Sequence, residues 1–511
     1  MNRQQRRAAK HSGPLGGEQD SFLAAVALHR AGKLPEAIRA YGRVDATHPQ
    51  YPEAQCYRGA ALFDLGKAME ALSAYDKALE ARPDYADAHY NAGLALKALD
   101  RLEEAAERYR RAITLRPDHA KALSNLANVV RMQGDFALSA DLCRQAIALA
   151  PEFANAHANL GNALLDMGRP DEAALSYGRA TRLDPSLTES HWGEAFALLA
   201  AGKYQEGWRK HEWRWKKADM PPHPHKQPQW QGQDISGQTI LLHCEQGLGD
   251  SLQFIRYAAL VKAKGAHVVV LAPKRLARLL STAPGIDRVI TDIKELGPCQ
   301  WQCPLMSLPL AFGTTLETVP APIPYLSADP ERMHQWRERL GEDGFKIGLV
   351  WQGNPKAAMD RGRSAPLSAF RPLGDIPGVR LISLQHQHGL DQLALNAGVM
   401  KIETLGDDFD SGPDAFMDAA AVMMGLDLIL STDTAIAHLA GSLGRPVGVL
   451  LQANPDWRWL LGRNDTPWYP TMRLFRQTKG GDWDGVVRQI VDYSGLIRPV
   501  IKSSNSTGEV S

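Results

Sequence analysis

A glycine-rich turn that ends in an acid is the first candidate for chemistry. The stretch "EQGLGDSLQF", residues 245–254, follows the apolar run "QTILLHC". Gly247 and Gly249 allow a tight turn of the kind that brings backbone N–H groups to a phosphate. Asp250 does not suit that use, because its carboxylate would repel a phosphate. Two interpretations remain: Asp250 caps the following helix, or it faces a cleft, free to accept a proton from an attacking hydroxyl as general base.

A second turn combines an acid, a hydroxyl and a histidine. In "STDTAIAHLAGSLG", residues 431–444, Thr434 is expected to begin a short helix, with His438 one turn further on the same face. The free N–H groups and the partial positive charge of a helix N-terminus suit a diphosphate. Asp433 would hold a ribose hydroxyl or cap the helix. The alternative is a capped helix with a packed histidine.

Cations lie on a loop between these two turns. The stretch "QGNPKAAMDRGRSAP", residues 352–366, carries Lys356, Arg361 and Arg363. A departing nucleoside diphosphate develops negative charge, which a metal or fixed cations must offset. These three side chains would do so, unless they are simply solvated loop residues.

Strand–helix–strand units position the turns. Buried strands are predicted at "QTILLHCE", "AHVVVLAP", "FKIGLVW", "VRLISLQ", "LDLILS" and "VGVLL", with helices at "DSLQFIRYAALVKAKG", "TAIAHLAGSLG" and, last, "GDWDGVVRQIVDYSGLI". The alternation predicts two Rossmann-like α/β lobes with parallel sheets, at 238–325 and 345–497, joined by a hinge at 326–344. Both turns then follow the carboxyl ends of strands, where such sheets bind ligands.

The first turn is not a dinucleotide fingerprint. Leu252 occupies the position of the third glycine, and the next strand ends in "LAPK" instead of an acid that could hold a ribose.

The first part of the chain is an array of repeats, predicted over 18–217. The prolines Pro49, Pro83, Pro117, Pro151 and Pro185 are each 34 residues apart. The pair Gly59 and Tyr75 recurs as Gly93 and Tyr109 and again as Gly161 and Tyr177. This pattern resembles the tetratricopeptide repeat, a helix pair that stacks into a solenoid. Small residues would let the two helices cross closely beside the aromatic ring. The final unit decays into "GKYQEGWRKHEWRW", expected to cap the stack, and the proline-rich stretch 218–237 is expected to be a linker.

Asparagines recur within the array at the same spacing. They are Asn91, Asn125 and Asn159 in one row, and Asn128 and Asn162 in another. A row of amides could grip the backbone of an extended peptide, since each amide both donates and accepts. It resembles the asparagine ladder of protein O-GlcNAc transferases. The alternative is that these amides bridge neighbouring helices.

Composition narrows the functional classes. The formal net charge of +1 argues against nucleic acid or an anionic membrane surface as the main partner. Five scattered cysteines suit reduced thiols, so a cytoplasmic location is expected. No stretch reaches the ~18 apolar residues of a membrane span. The basic N-terminus, 1–17, lacks the apolar segment of a secretory signal and is expected to be flexible. The tail, 498–511, is expected to be disordered.

The second half carries a family resemblance. The strings "LLHCEQGLGDSLQFIRY" and "STDTAIAHLAGSLGRPVGVLL" resemble heptosyltransferase-type glycosyltransferases, which have the two-lobed GT-B fold. The longer pattern, with "PDWRWLL" and "PWYPTMRLFRQ", resembles bacterial proteins that fuse tetratricopeptide repeats to such a domain. Together these resemblances cover roughly residues 18–497.

The resemblance implies roles for the residues above. The G-x-G-D aspartate, Asp250, would be the base on the acceptor side, beside Gly247 and Gly249. The "DTAIAHLAG" string would bind the nucleotide sugar. Two D-x-D strings, Asp408–Asp410 and Asp482–Asp484, are of the type that holds a metal in single-lobed glycosyltransferases, but their positions favour no metal and no cofactor beyond the donor substrate.

The expected function is an inverting, metal-independent glycosyltransferase. It would move a sugar from a nucleotide sugar to a protein or glycan precursor recruited by the repeats. The rival interpretation is a non-catalytic scaffold with a degenerate glycosyltransferase-like domain. The aromatic cluster Trp457, Trp459, Trp468 and Tyr469 would either stack on a sugar or, in the favoured interpretation, pack between the lobes.

Overall fold

The fold is known from a computed structural model that describes residues 15–217, 220, 225–356, 360 and 362–493. Residues 1–14 of the basic N-terminus, the tail 498–511 and Arg361 lie outside this part. The chain divides into two compact units, Met1–Gly193 and Glu194–Ser511.

The first unit is built from pairs of helices, as the 34-residue spacing predicts. The helices are α1 Leu15–Arg30, α2 Leu34–Tyr41, α3 Tyr51–Asp64, α4 Ala68–Ala81, α5 Ala86–Ala98, α6 Leu102–Leu115, α7 Ala120–Met132, α8 Phe136–Leu149, α9 Ala154–Asp166 and α10 Pro170–Leu183. The second helix of a pair ends two residues before Pro83, Pro117, Pro151 and Pro185, because the residue preceding a proline is disfavoured in helical geometry. Arg82, for example, leaves the helix with φ −143° and ψ 90° one residue before Pro83.

A glycine lets the two helices of a pair approach. A Cβ added at Gly59 would lie 2.5 Å from the ring of Tyr75, and one at Gly93 would lie 2.6 Å from the ring of Tyr109. Such distances leave no room for a methyl group. In the pair α7–α8 the ring is absent, since Cys143 stands at the aromatic position, and there Ala127 replaces the glycine. In this helix pair the tyrosine ring and the glycine opposite it are therefore both absent.

Gly93→Ala should destabilise the repeats by ~1–3 kcal/mol, because the new methyl group overpacks the contact with Tyr109. Urea unfolding followed by circular dichroism measures the loss. The matched control places the same substitution in a Tyr109→Cys background, where alanine should be neutral or stabilising because it is the better helix former. An equal loss in both backgrounds would refute the steric explanation.

The second unit contains ten strands and the remaining helices among its described residues. The strands are β1 Thr239–His243, β2 His267–Leu271, β3 Arg288–Ile290, β4 Trp301–Pro304, β5 Phe345–Val350, β6 Val379–Ser383, β7 Ile402–Glu403, β8 Leu428–Thr432, β9 Val447–Leu451 and β10 Met472–Arg476. The helices are α11 Thr188–Ala200, which begins before the unit boundary, α12 Tyr204–His211, α13 Leu248–Phe254, α14 Ala258–Ala263, α15 Lys274–Leu280, α16 Leu308–Ala311, α17 Pro330–Leu340, α18 Arg371–Gly374, α19 Asp391–Asn396, α20 Phe416–Met424, α21 Ala435–Ser442 and α22 Trp483–Asp492.

Two parallel sheets organise this unit. The first has the order β3-β2-β1-β4 and the second the order β10-β9-β8-β5-β6-β7. All strand pairs within them are parallel. The second order is that of a doubly wound sheet, with the order reversing at β5 and β8. The prediction of two parallel-sheet α/β lobes is confirmed; β3, β4, β7 and β10 were not predicted because they are short or lack a continuous apolar run.

Two connecting stretches are more ordered than predicted. Within the expected linker, Trp230 is buried and its backbone N–H donates to the carbonyl of Gln302 at 2.8 Å, so this stretch packs along the edge of the first sheet. The expected hinge contains α17, which Asp329 caps through two backbone N–H groups and Trp336 anchors in the core. In both stretches the ordered structure depends on apolar residues at isolated positions. Neither stretch shows a periodic pattern in the sequence.

The aromatic segment after α11 belongs to this second unit. It comprises α12 and the 3₁₀ turn Glu212–Lys216. The guanidinium of Arg214 is fully buried and donates two bonds of 2.8 Å to the carboxylate of Glu245 and one of 2.7 Å to Ser307. Glu245 immediately precedes the glycine-rich turn, so the aromatic segment fixes the position at which that turn begins.

Candidate functional site

The first turn places Asp250 inside a helix instead of at its cap. Gly247 is the N-cap of α13, with extended backbone angles of φ −80° and ψ 159°. Asp250 is the third residue of the helix, and its Oδ2 accepts the N–H of Gly247 at 2.8 Å. The prediction that Asp250 is the N-cap is therefore wrong in position. The helix starts two residues earlier because glycine tolerates the cap conformation and the aspartate reaches back to it.

The second turn begins a helix as predicted. Thr434 is the extended N-cap of α21, with φ −135° and ψ 171°. Its hydroxyl lies 3.0 Å from that of Ser431 and does not cap the first turn. The N-terminus of α21 is thus left without a side-chain cap from its own N-cap residue, a geometry that suits an external anion.

The two turns, some 180 residues apart in the sequence, meet in space. A Cβ added at Gly249 would lie 2.9 Å from the His438 ring and 3.5 Å from the Cα of Ala435. α13 follows β1 and α21 follows β8, so the carboxyl ends of strands from both sheets converge here. Any side chain at position 249 would push the two sheets apart. The requirement for glycine is therefore steric contact with α21 and not phosphate approach.

His438 is packed and uncharged. It is buried, its ring stacks on Trp459 with centroids 5.4 Å apart, and its Nδ1 lies 2.9 Å from the hydroxyl of Tyr469. Burial and the neighbouring arginines lower the pKa of His438 well below its usual value. These contacts favour the packed-histidine alternative. A direct contact between His438 and a nucleotide sugar stays a prediction.

Arg458 connects α13 to the loop that follows β9, and sequence reasoning missed it. Its Nη2 donates to Oδ1 of Asp250, its Nη1 to Asp456 at 2.8 Å, and its Nε to Gln253 at 2.8 Å. The side chain is 9% exposed. The available signal was the string "PDWRWLL", where a single cation sits between two tryptophans. Asp250 was expected to be free, but both of its oxygens accept hydrogen bonds.

The carboxylate groups of the site have little contact with solvent. Burial raises the pKa of Asp250, although the adjacent Arg458 opposes the shift. Burial and the nearby Asp456 raise the pKa of Asp433 to about 6, against the lowering influence of Arg363. Carboxyl groups with raised pKa values are suited to take up protons near neutral pH.

Asp433→Asn should stabilise the protein in a pH-dependent way. The pKa of Asp433 is about 6 in the folded protein and about 3.9 in an unfolded chain, so its contribution to stability is full below pH 4 and is lost as the pH rises through 6. The variant should equal the wild type at pH 4 and exceed it by on the order of 1–3 kcal/mol at pH 7.5. Thermal unfolding across this range measures the difference.

Asp408→Asn is the control of opposite sign. The ion pair with Arg339 lowers the pKa of the exposed Asp408, so this variant should lose stability relative to the wild type as the pH rises. A pH-independent difference for Asp433→Asn would show that its raised pKa does not contribute to folding.

The cation loop is only partly placed. Arg363 is partly buried, lies 3.7 Å from Asp360 and lowers the pKa of Asp433, so it belongs to the site. Lys356 is exposed, and its backbone N–H donates to the side chain of Asn354 at 3.1 Å. Arg361 lies outside the described residues.

The D-x-D strings serve the fold. Asp408 pairs with Arg339, Asp410 is buried and accepts the N–H of Ala419 at 3.1 Å, and Asp482 caps α22. Among the residues that the structure describes, no three His, Cys, Asp or Glu side chains are grouped to hold a metal ion.

The aromatic cluster packs between elements, as the favoured interpretation predicts. Its members Trp457, Trp459, Trp468 and Tyr469 are at most 2% exposed. Trp457 and Trp468 meet Trp208 edge to face at 5.3 and 6.4 Å, and Phe254 of α13 at 5.6 Å from Trp468 completes the contact.

The asparagines of the first unit bridge neighbouring helices, four of them across repeats and Asn162 within one repeat. The Nδ2 of Asn91 donates to Cys56 at 3.6 Å, that of Asn125 to Tyr90 at 3.1 Å, and that of Asn159 to the carbonyl of Ser124 at 3.1 Å. Asn128 donates to Asn159 at 3.4 Å, and Asn162 accepts from Tyr177 at 2.7 Å. The bridging alternative therefore describes the observed contacts.

Four of these asparagines also line a groove. A cavity of about 910 Å³ includes Asn91, Tyr90 and Phe153, and a second of about 380 Å³ includes Tyr90, Phe153 and the amides of Asn125, Asn128 and Asn159. The two cavities share Tyr90, Lys121 and Phe153. We call this continuous space the repeat groove.

Comparison with known families identifies the first unit. Residues 59–100 match a family described as "TPR repeat", and residues 90–152 and 130–187 match two described as "Tetratricopeptide repeat". Tetratricopeptide repeats are present. The predicted repeats are thereby confirmed.

One curated relative matches this chain over a longer stretch than the repeat families do. The chain is 28% identical over 317 residues to Protein FlbA of Caulobacter vibrioides (strain ATCC 19089 / CIP 103742 / CB 15), which covers 57% of this chain. The chain spans about half, 52%, of that relative's length.

Solved structures match a smaller share of the chain. A MamA protein is 24% identical over 34% of this chain and 94% of its own, with a TM-score of 0.30. TTC0263 of Thermus thermophilus, a thermophilic TPR protein, is 25% identical over 36% and 99%, also with a TM-score of 0.30. YrrB, a TPR protein with an unusual peptide-binding site, is 20% identical over 36% and 91%, with a TM-score of 0.28. At these scores the likeness adds nothing to the family matches.

Within residues 15–217 and the other described stretches, every helix is too short or too polar to cross a membrane.

Proposed function

We propose that the chain is a glycosyltransferase of the GT-B type that moves a sugar from a nucleotide sugar to an acceptor hydroxyl. The observation that carries the proposal is the meeting of the G-x-G-D turn with the N-terminus of α21. Two doubly wound sheets present the carboxyl ends of their strands to one buried, charged site, which is where such sheets bind nucleotides. The resemblance of both turns to heptosyltransferase-type sequences supports the same assignment.

Asp250 is the proposed general base. In an inverting transfer the acceptor oxygen bonds to the anomeric carbon, the bond from that carbon to the diphosphate breaks, and the base takes the hydroxyl proton. A buried carboxylate with a raised pKa is a competent proton acceptor, provided that a lone pair is available to the hydroxyl.

The diphosphate is proposed to lie at the N-terminus of α21. The uncapped first turn supplies N–H groups, and Arg363 supplies a fixed positive charge from the neighbouring loop. Lys356 and Arg361 on the same loop would add charge, so that transfer would proceed without a metal ion. Asp433, protonated near pH 6, could donate to a ribose or sugar oxygen.

Asp250→Asn should still bind the nucleoside diphosphate but lose turnover by ~10²–10⁴. Asparagine can still accept the N–H of Gly247, so the helix start should survive. Calorimetry with ADP, GDP, UDP and CDP measures binding. Release of nucleoside diphosphate from the corresponding nucleotide sugars, with water or added alcohols as acceptors, measures turnover.

Arg363→Ala is the matched variant, and it should lose affinity for the diphosphate instead. Binding without turnover in the wild type would favour the non-catalytic scaffold. Failure of all four nucleotides to bind would refute the proposed donor site.

The repeats are proposed to recruit the acceptor or a partner protein as an extended peptide in the repeat groove. Tyr90 and Phe153 give the groove aromatic walls, and the exposed side chains of Lys121 and Asn155 give it polar contacts. The asparagine Nδ2 groups are engaged between repeats, so they set the shape of the groove while the exposed residues face the peptide.

Lys121→Ala with Asn155→Ala should weaken binding of peptides selected from a random library by at least tenfold, without changing the unfolding midpoint. Asn159→Ala is the contrasting variant. Its bonds to Ser124 are internal, so it should lower stability by ~1–2 kcal/mol. Fluorescence anisotropy gives the affinities and urea unfolding the stabilities. Unchanged affinity in the double variant would place the peptide elsewhere.

A further inference from the structure

Gly247 and Arg458 together engage both oxygens of the proposed base, Asp250. Asp250 receives the N–H of Gly247 on one oxygen and the guanidinium of Arg458 on the other. Hydrogen bonds and a positive charge favour the ionised carboxylate and make it a weaker base. A base that is permanently paired in this way would contribute little to the transfer step.

We propose that Arg458 exchanges partners when a nucleoside diphosphate binds: it leaves Asp250 for a phosphate oxygen and so releases the base. This inference rests on the proposed function of the site. Arg458 is then a positioning residue, because it acts on the reaction through Asp250 and through the leaving group. The exchange would make proton acceptance depend on the presence of the donor.

The contacts of Arg458 differ in how firmly they are fixed. Asp456 is two residues away in the chain, accepts both the Nη1 of Arg458 at 2.8 Å and its backbone N–H at 3.0 Å, and so moves with it. Asp250 and Gln253 lie on α13, which follows the other sheet. The bond to Asp250 is therefore the one that a ligand between the two turns can replace.

Two fully buried side chains, one on α13 and one at the end of β8, each have a polar atom without a hydrogen-bond partner among the described residues. Gln253 is fully buried, and its Nε2 has no hydrogen-bond partner among the described residues although its Oε1 accepts from Arg458. Thr432, at the end of β8, is also fully buried, and its Oγ1 likewise lacks a partner within the described part of the chain. Buried polar groups are rarely left unpaired in a complete site.

A diphosphate would compete with carboxylates for Arg458. Asp250, Asp456 and Asp433 face Arg458, and Arg363 is the next cation. A diphosphate adds further negative charge to this buried cluster. Arginine binds a phosphate through two parallel N–H groups, so a small rotation of the guanidinium could satisfy the diphosphate while Asp456 keeps its contact.

A double-mutant cycle tests the exchange in the full chain. Thermal unfolding is measured for the wild type, Asp250→Asn, Arg458→Lys and the double variant, each alone and with whichever of ADP, GDP, UDP or CDP binds by calorimetry. Lysine keeps the charge but cannot span two carboxylates. Without nucleotide, the change in Tm caused by Asp250→Asn should differ between the wild-type and Arg458→Lys backgrounds. With saturating nucleotide, its effect should be equal in both backgrounds.

A cycle between Asp456→Asn and Arg458→Lys is the matched control, and its coupling should persist with nucleotide. Coupling between Asp250 and Arg458 that is unchanged by bound nucleotide would overturn the exchange and leave the proposed function intact. Failure of every nucleotide to bind would overturn the proposed function and the exchange with it. Circular dichroism of each variant confirms that the compared proteins are folded.

Discussion

Backbone approach at a glycine is the constraint on which both units depend. In the repeats, Gly93 and its equivalents allow a tyrosine ring to lie against the neighbouring helix at distances that a methyl group would occupy. At the candidate site, Gly249 allows α13 to rest on the His438 ring. Small residues at crossing points bring rigid elements close enough to bury their apolar faces. The same device therefore allows the close helix contacts within the repeats and the contact between α13 and α21.

Once the sheets close at Gly249, charged groups that belong to different strands become neighbours. Asp250 of the first turn and Asp456 of the loop after β9 share Arg458, whose side chain is 9% exposed. Unpaired, each carboxylate would be costly to bury. Paired, they form a cluster that resists separation of the sheets but can respond to a new anion. Stability and chemistry thus draw on the same few side chains.

The sequence predicted periodic features well. The 34-residue spacing located the repeats, continuous apolar runs located six strands, and the string that begins at Thr434 located the start of α21 to within a residue. Features that rest on single residues were not predictable. Arg458 gave no periodic signal, Asp250 was placed at the cap because the tolerance of Gly247 was not weighed, and the order around Trp230 depends on one buried side chain. Pairings across 208 residues, such as Asp250 with Arg458, exist only once the sheets are assembled.

The position of Arg214 has a consequence for the modular architecture of the chain. By repeat counting, α12 and the turn after it are the end of the solenoid, yet Arg214 is locked onto Glu245 at the root of the glycine-rich turn. If the second domain were excised at the proline-rich stretch, Glu245 would lose Arg214 and remain a lone buried acid. The aromatic face that Trp208 covers would also become exposed. Cutting or recombining such chains at the apparent linker would therefore divide a single folding unit. The transferable piece is the α/β region together with the aromatic segment that precedes it.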